Sequence, residues 1–241
     1  MIAPRFLVAG DCALIVEFGD AITRALNEQV LALDRALAAD PPAGMVETVP
    51  TIRSLLVHYD PALTTGAALE GAIAQRLQRP APPAGSGRLW RFPTCYGGAH
   101  ARDLDELAAR VGLGPQEVAA RHAATSYHVY MLGFTPGFAY MGDLPAALVT
   151  PRRATPRVRL PAGSVAVATS LTAVYPQESP GGWWVIGATP VRLFNPARPS
   201  PALLRPGDRV AFEPIAAHAC AMLAADIARD RWRPAYETID A

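Results

Sequence analysis

The chain has 241 residues, of which 51% are hydrophobic and 18% charged, and its formal net charge is +1. That length supports one large domain or two modest ones with well-buried cores, and the near-neutral balance leaves no field to steer nucleic acid or an anionic membrane surface. All 22 basic residues are arginine, so a Walker lysine, a Schiff-base lysine and a biotinyl lysine are all excluded from this chain. Cys12, Cys95 and Cys220 are odd in number and form no C-x-x-C pair, so neither a disulfide framework nor a zinc site is indicated. The N-terminus reads as free of a signal segment and no stretch approaches a membrane span, so a cytoplasmic location is expected.

In chain order, residues 5 to 18 hold two apolar segments split by Gly10-Asp11, the second alternating as a strand does. From Thr23, a suitable N-cap, the stripe Leu26, Val30, Leu33 and Leu37 predicts a helix that stops before Pro41-Pro42. Strands are expected over 44–52 and 54–59, and Leu69, Ile73 and Leu77 mark a second helix. The order ββαββα predicts an α+β domain over residues 1–79, with helices on one face of an antiparallel sheet. Residues 80–87, rich in Pro, Ala, Gly and Ser, read as a linker.

The second domain, 88–241, opens with a strand around 89–96 and two short helices, the second starting at Pro115. Short strands are then expected at 127–132, 164–168, 183–186, 191–194 and 210–214, punctuated by Gly and Pro. That pattern predicts a mainly β barrel or sandwich. Arg205-Pro206-Gly207-Asp208 reads as a turn, and 222–227 as a C-terminal helix.

Three segments concentrate unusual composition. The run 132–142 contains Gly133, Phe134, Pro136, Gly137, Phe138 and Tyr140, too rich in Gly, Pro and aromatics for a regular element, and reads as a built loop. Arg152, Arg153, Arg157 and Arg159 fall within eight residues, and charges so close repel unless an anion or carboxylates neutralise them. If Val158 points inward on a strand, Arg157 and Arg159 share the opposite face. A solvated basic edge and a phosphate or carboxylate site both fit. Glu178-Ser179-Pro180-Gly181-Gly182-Trp183 offers a carboxylate beside a glycine turn, suited to a general base or to pairing with one of those arginines. Tyr130, Phe134, Phe138, Tyr140 and Trp183 suit either a pocket wall or the barrel core. His128 opens the strand feeding the loop, and a structural role or proton transfer both remain open for it; His122 reads as a packing residue. No histidine pair has metal-ligand spacing, so no metal site is expected.

The ordered segments Cys95-Tyr96-Gly97-Gly98, Tyr130-Met131-Leu132-Gly133-Phe134, Pro136-Gly137-Phe138, Thr150-Pro151-Arg152-Arg153, Pro156-Arg157, Pro161-Ala162-Gly163-Ser164-Val165 and Glu178 to Trp183 resemble the KipI family, also called allophanate hydrolase subunit 1. Gly10-Asp11-Cys12-Ala13-Leu14 and residues 49–57 extend the likeness to nearly the whole chain. The resemblance implies a DCoH-like α+β domain followed by a cyclophilin-like β-barrel. It also implies a role as the B subunit of an ATP-dependent 5-oxoprolinase, working with KipA-like and LamB/YcsF-like subunits to open 5-oxoproline to glutamate. Other relatives include a histidine-kinase inhibitor and the carboxyltransferase region of urea carboxylase. On the oxoprolinase reading Arg152 and Arg153 would balance charge on the reacting lactam. Arg157, Gly163, Ser164, Ser179, Pro180, Gly181 and Gly182 would join the loop and its aromatics in binding substrate, and Glu178 or His128 would move a proton. ATP with Mg2+ would be shared with the KipA-like partner.

Overall fold

The first two strands, β1 (Arg5–Val8) and β2 (Ala13–Glu17), form a hairpin whose turn places Gly10 at φ 67°, a left-handed position that glycine takes without penalty. The computed structural model describes residues 3–80, 82–83 and 85–239. Helix α1 (Arg24–Ala39) starts where Thr23 Oγ1 accepts from Leu26 N (3.3 Å) and ends at Asp40, ahead of the two prolines. Strands β3 (Met45–Pro50) and β4 (Ser54–Tyr59) and helix α2 (Gly66–Leu77), capped by Thr65, complete the ββαββα order. The sheet runs β1-β2-β4-β3, antiparallel throughout. Alternation puts Leu14, Val16, Leu55 and Val57 on one face, where they pack with Val30, Leu33 and Leu37 of α1 and Leu69 and Ile73 of α2.

Contacts divide the chain into one unit up to Gly85 and a second from Ser86. Ala81 and Ala84 of the expected linker, and the last two residues of the chain, lie outside the described residues.

In the second unit, β5 (Gly87–Thr94) leads to α3 (Leu104–Val111) and α4 (Pro115–Ala123). The chain then runs through β6 (Ser126–Leu132), β7 (Ala139–Gly142), β8 (Arg157–Leu160), β9 (Ser164–Ala168), β10 (Leu171–Val174), β11 (Ser179–Gly181) and β12 (Trp184–Ala188). It ends with β13 (Arg209–Pro214), α5 (Ala217–Ala228) and β14 (Tyr236–Ile239). The main sheet has the order β12-β9-β10-β7-β6-β13-β5-β14, antiparallel except for the parallel pair β13 and β5. The edge strand β12 meets the chain just beyond β5, because Cys95 and Ala188 exchange both backbone hydrogen bonds (2.8 and 2.9 Å), so the sheet from β12 to β5 curls around Phe92, Tyr127, Val129, Met141, Val165, Val167, Ile186 and Phe212, with β14 paired outside the closure. Strands β8 and β11 pair apart from it as a two-stranded ribbon.

Several expectations change. Residues 191–194 form no strand: Pro190 and Pro196 flank them, and only Phe194 makes a bridge, to Ala202. The expected loop at 132–142 narrows to 133–138, with β7 following. Val158 is 89% exposed, so it does not point inward. The turn at 205–208 is present, with Asp208 N donating to Arg205 O (3.1 Å), but its Asp208 is buried. There it accepts from both nitrogens of the Arg88 fork (2.7 and 2.5 Å) and from Trp90 Nε1 (3.0 Å). All three cysteines are free, and among the described residues no helix is long and apolar enough to cross a membrane.

His122, fully buried on α4, joins the helix to the sheet through a hydrogen-bond chain. Thr172 Oγ1 donates to Ala166 O (3.1 Å), so it accepts from His122 Nε2–H (2.9 Å), and Nδ1 is left to accept from the Tyr96 hydroxyl (2.8 Å). The chain closes only with a neutral imidazole, and burial pushes the His122 pKa down to about 3. Between that value and the ordinary histidine range, the unfolded chain binds a proton that the folded one excludes. Stability is therefore lost as pH falls through this window, by on the order of 3–5 kcal/mol from this group. Urea denaturation of the wild type and His122→Gln checks this: the stability difference should shrink from pH 7.5 to pH 4.5, and a pH-independent difference would contradict it.

Candidate functional site

Asp103 ends the approach to α3, yet its carboxylate does not cap that helix. It turns into the barrel wall, where Oδ2 accepts from Val185 N (2.9 Å) while Asp103 N donates to Val185 O (2.9 Å). The side chain is completely excluded from solvent, so a bare charge there would cost several kcal/mol, and it is matched by two guanidiniums. Arg153 Nη1 donates to Oδ1 at 3.1 Å, and Arg157 Nη2 donates to the same oxygen. The bond to Asp103 holds the Arg157 guanidinium above its ordinary pKa, firmly charged. Glu106, one turn into α3 and mostly exposed, takes a second bond from Arg153 Nη1 (2.8 Å).

Neighbouring residues divide between two sides here. Arg153 lies over the Trp184 ring (4.6 Å), and Trp184 Nε1 donates to Pro151 O (2.8 Å), on the side of the core. Arg152 lies over Trp183 (6.0 Å) on the other side. Arg153 N donates to Gly182 O (2.8 Å), which holds the two doublets in step.

On the Arg152 side, aromatic rings meet edge to face. Phe138 lies 5.0 Å from Tyr140, 5.3 Å from Tyr175, 5.4 Å from Phe134 and 6.0 Å from Trp183, and Tyr140 lies 6.0 Å from Trp183. Phe138, Tyr175 and Trp183 are buried, whereas Phe134, at φ 68°, is 63% exposed at the rim. Burial raises the Tyr140 pKa and pushes that of Tyr175 up to about 12, with the Arg152 charge acting against both shifts. Arg152 is exposed and makes no hydrogen bond or ion pair among the described residues. Ser179 Oγ and Thr135 Oγ1 are buried and have no hydrogen-bond partner among the described residues. A wall of rings with one uncommitted guanidinium suits a small cyclic anion: the rings take the apolar body and the fork takes a carboxylate or a developing oxyanion.

The three segments singled out in the sequence therefore meet, but the four arginines do not form one patch. Arg153 and Arg157 are turned to Asp103, and Arg159 pairs with Glu178 at 2.6 Å on the surface, so of the two roles open to Glu178 the structural pairing is the one present. His128 is buried on β6, edge-on to Tyr130 at 4.9 Å, and the Tyr130 hydroxyl reaches Asp143 Oδ1 at 3.4 Å. Gly133 lies beside Met131 and Tyr140, and Pro136 is exposed at the loop tip. Gly137, at φ 79°, lies where a Cβ would come 2.8 Å from Phe194 Cβ. Gly163, at φ 83°, turns the chain into β9 against Thr189 O, and Ser164 Oγ donates to Pro161 O (2.8 Å). Pro180 is exposed on the ribbon, Gly181 leaves room for the Tyr175 hydroxyl, and Gly182 supplies the carbonyl that holds Arg153.

Sequence reasoning missed Asp103, Glu106, Tyr175 and Trp184. An aspartate directly before the stripe Leu104, Leu107 and Ala108 signals only a helix cap, and Tyr175, an aromatic between the two glycine-rich segments, carries no motif that sets it apart. Removing the buried carboxylate strands the Arg157 guanidinium and the Val185 N–H and leaves Arg153 with Glu106 alone, so Asp103→Ala should destabilise the protein by about 3 kcal/mol. Glu106→Ala, at an exposed pair, should cost about 1 kcal/mol or less. Urea denaturation of both variants checks this, and equal losses would contradict the hub role of Asp103.

The family described as carboxyltransferase domain, subdomain C and D, matches residues 4–204. Two curated proteins named as the B subunit of 5-oxoprolinase are similar: one from Escherichia coli O157:H7 is 39% identical over 87% of this chain and 95% of its own length. The other, from Bacillus subtilis (strain 168), is 38% identical over 84% of this chain and 89% of its own. Among solved structures, TTHA0988 is 39% identical with a TM-score of 0.76, covering 85% of this chain, which spans 40% of its length. The Kluyveromyces lactis urea amidolyase, at 17% identity, shares the fold with a TM-score of 0.82 over 97% of this chain and 16% of its own. The chain thus belongs to the carboxyltransferase subdomain C and D family, the KipI-type family that its motifs resemble.

Proposed function

We propose that this protein is the B subunit of an ATP-dependent 5-oxoprolinase in the cytoplasm, a hydrolase that opens 5-oxoproline to glutamate. The curated relatives of that name support the reading. The observation that carries it is the division of the arginines: Arg153, Arg157 and Arg159 have carboxylate partners, and Arg152 is left facing the rings of Tyr140, Tyr175 and Trp183.

5-Oxoproline is a five-membered lactam with one carboxylate. The rings of Phe138, Tyr140 and Trp183 offer the apolar wall for its ring, and Arg152 the cation for its carboxylate or for charge that builds on the lactam oxygen as the amide is activated. ATP with Mg2+ supplies the driving force for opening a stable lactam and is shared with the KipA-like partner. Arg153 and Arg157 act by fixing the 150–157 segment, and Glu178, held only by a surface pair, can swing to take a proton; His128 is the other candidate for that role. KipA-like and LamB/YcsF-like subunits complete the site, so the isolated chain has little turnover. On this reading the first unit is DCoH-like and the second a cyclophilin-like barrel, a scaffold likeness without prolyl-isomerase chemistry. The family description also admits a carboxyltransferase component; lacking lysine, this chain would need its biotin from a partner.

The test is 5-oxoproline turnover by the reconstituted subunits. Arg152→Ala should lower kcat/KM by about 10- to 100-fold, the worth of one charged hydrogen bond, with Arg152→Lys recovering part of it. Arg159→Ala should stay near wild type. Turnover unchanged by Arg152→Ala would overturn the assignment.

A further inference from the structure

Beneath the rings of the candidate site lies a phenol whose proton is unclaimed. Tyr175, just after β10, is 2% exposed, and its backbone is tied on both sides, N to Ser164 O (2.9 Å) and O to Gly163 N (2.8 Å). Its hydroxyl oxygen takes the backbone N–H of Trp183, but among the described residues the hydroxyl gives its own proton to no acceptor. A buried donor left in that state costs about 1–3 kcal/mol, a cost that a bound acceptor removes.

The hydroxyl is held in one place. A Cβ on Gly181 would overlap it and come 2.8 Å from ring carbon Cζ, so the phenol is seated against a position that only glycine leaves open. On its other side the ring meets Phe138 edge to face at 5.3 Å. The Arg152 charge acts on both Tyr175 and Tyr140, so its guanidinium is within electrostatic reach of the two phenols while lying exposed over Trp183. The site thus has a charged donor at its rim and a neutral one below.

These two donors suit the two oxygen-bearing ends of a cyclic amide acid. A carboxylate is charged throughout, and drawing it down to Tyr175 would strip its water in exchange for one neutral donor. At Arg152 it meets a full charge and stays partly hydrated. A lactam carbonyl enters neutral and gains charge only as the amide is activated, and a pre-placed O–H in a water-poor site is worth most where charge develops. Burial, which pushes the Tyr175 pKa up to about 12, keeps that O–H intact at neutral pH.

We propose that the Tyr175 hydroxyl donates to the lactam oxygen of the substrate while Arg152 holds the carboxylate at the rim. The inference rests on the oxoprolinase reading and fixes which end of the ring points inward. The hydroxyl keeps its proton, and its contribution is the hydrogen bond alone.

Turnover of 5-oxoproline by the reconstituted subunits, with cyclopentanecarboxylate as an inhibitor that has the ring and the carboxylate but no lactam, tests it. Tyr175→Phe should lower kcat about 10-fold or more, change KM less than about 3-fold and leave cyclopentanecarboxylate inhibition as it was. Arg152→Ala should weaken that inhibition about 10-fold or more. An unchanged kcat in Tyr175→Phe, or a loss shared by the inhibitor as a merely structural role would give, overturns the proposal. So does a wild-type enzyme that cyclopentanecarboxylate fails to inhibit, or an Arg152→Ala enzyme that it inhibits equally well. Turnover that survives Arg152→Ala sinks the oxoprolinase site itself, so the two failures are distinguishable.

Discussion

The second unit depends on one buried charge. Asp103 is withdrawn from water at the junction of α3 and β12, and a carboxylate in that position is tolerable only when its lone pairs are filled. A backbone N–H of β12 and the guanidiniums of Arg153 and Arg157 fill them. The segment carrying those arginines can then run only one way across the barrel wall. Since neighbouring side chains on an extended chain point oppositely, turning Arg153 inward to Trp184 turns Arg152 outward to Trp183. The uncommitted cation of the candidate site is thus a consequence of the committed one next to it.

The aromatic cluster is fixed in a similar way, by a few short contacts. Phe138 touches four rings, and its loop is held by backbone bonds from Gly133 N to Phe138 O (3.0 Å) and from Phe138 N to Thr135 O (3.0 Å). Rings locked edge to face on a closed barrel give a surface that needs little ordering when a small ring lands on it.

What the sequence made legible was local. The Leu26, Val30, Leu33, Leu37 stripe with its Thr23 cap, the alternation of Leu55, Val57 and Tyr59, and the apolar run 164–168 all fold as their periodicity implies, because near neighbours decide those elements. The ribbon of β8 and β11 was invisible, since each strand is short and exists only by pairing with the other about 20 residues away. Val158 misled for the same reason: an apolar residue on an exposed ribbon faces solvent at no great cost. The site was legible in its ingredients, with the loop, the arginines and Trp183 all picked out. Its logic was not, because Asp103 lies some 50 residues before the arginines it sorts.

The central claim is that Arg152 and the rings of Tyr140 and Trp183 receive the substrate while Asp103 holds Arg153 and Arg157 away. A crystal structure of the reconstituted assembly with 5-oxoproline bound tests it most directly. The account predicts the ligand ring against Tyr140 and Trp183 and an oxygen of the ligand on the Arg152 guanidinium, with Arg153 and Arg157 still on Asp103. A ligand bound elsewhere, or one held by Arg153 and Arg157 released from Asp103, would contradict it.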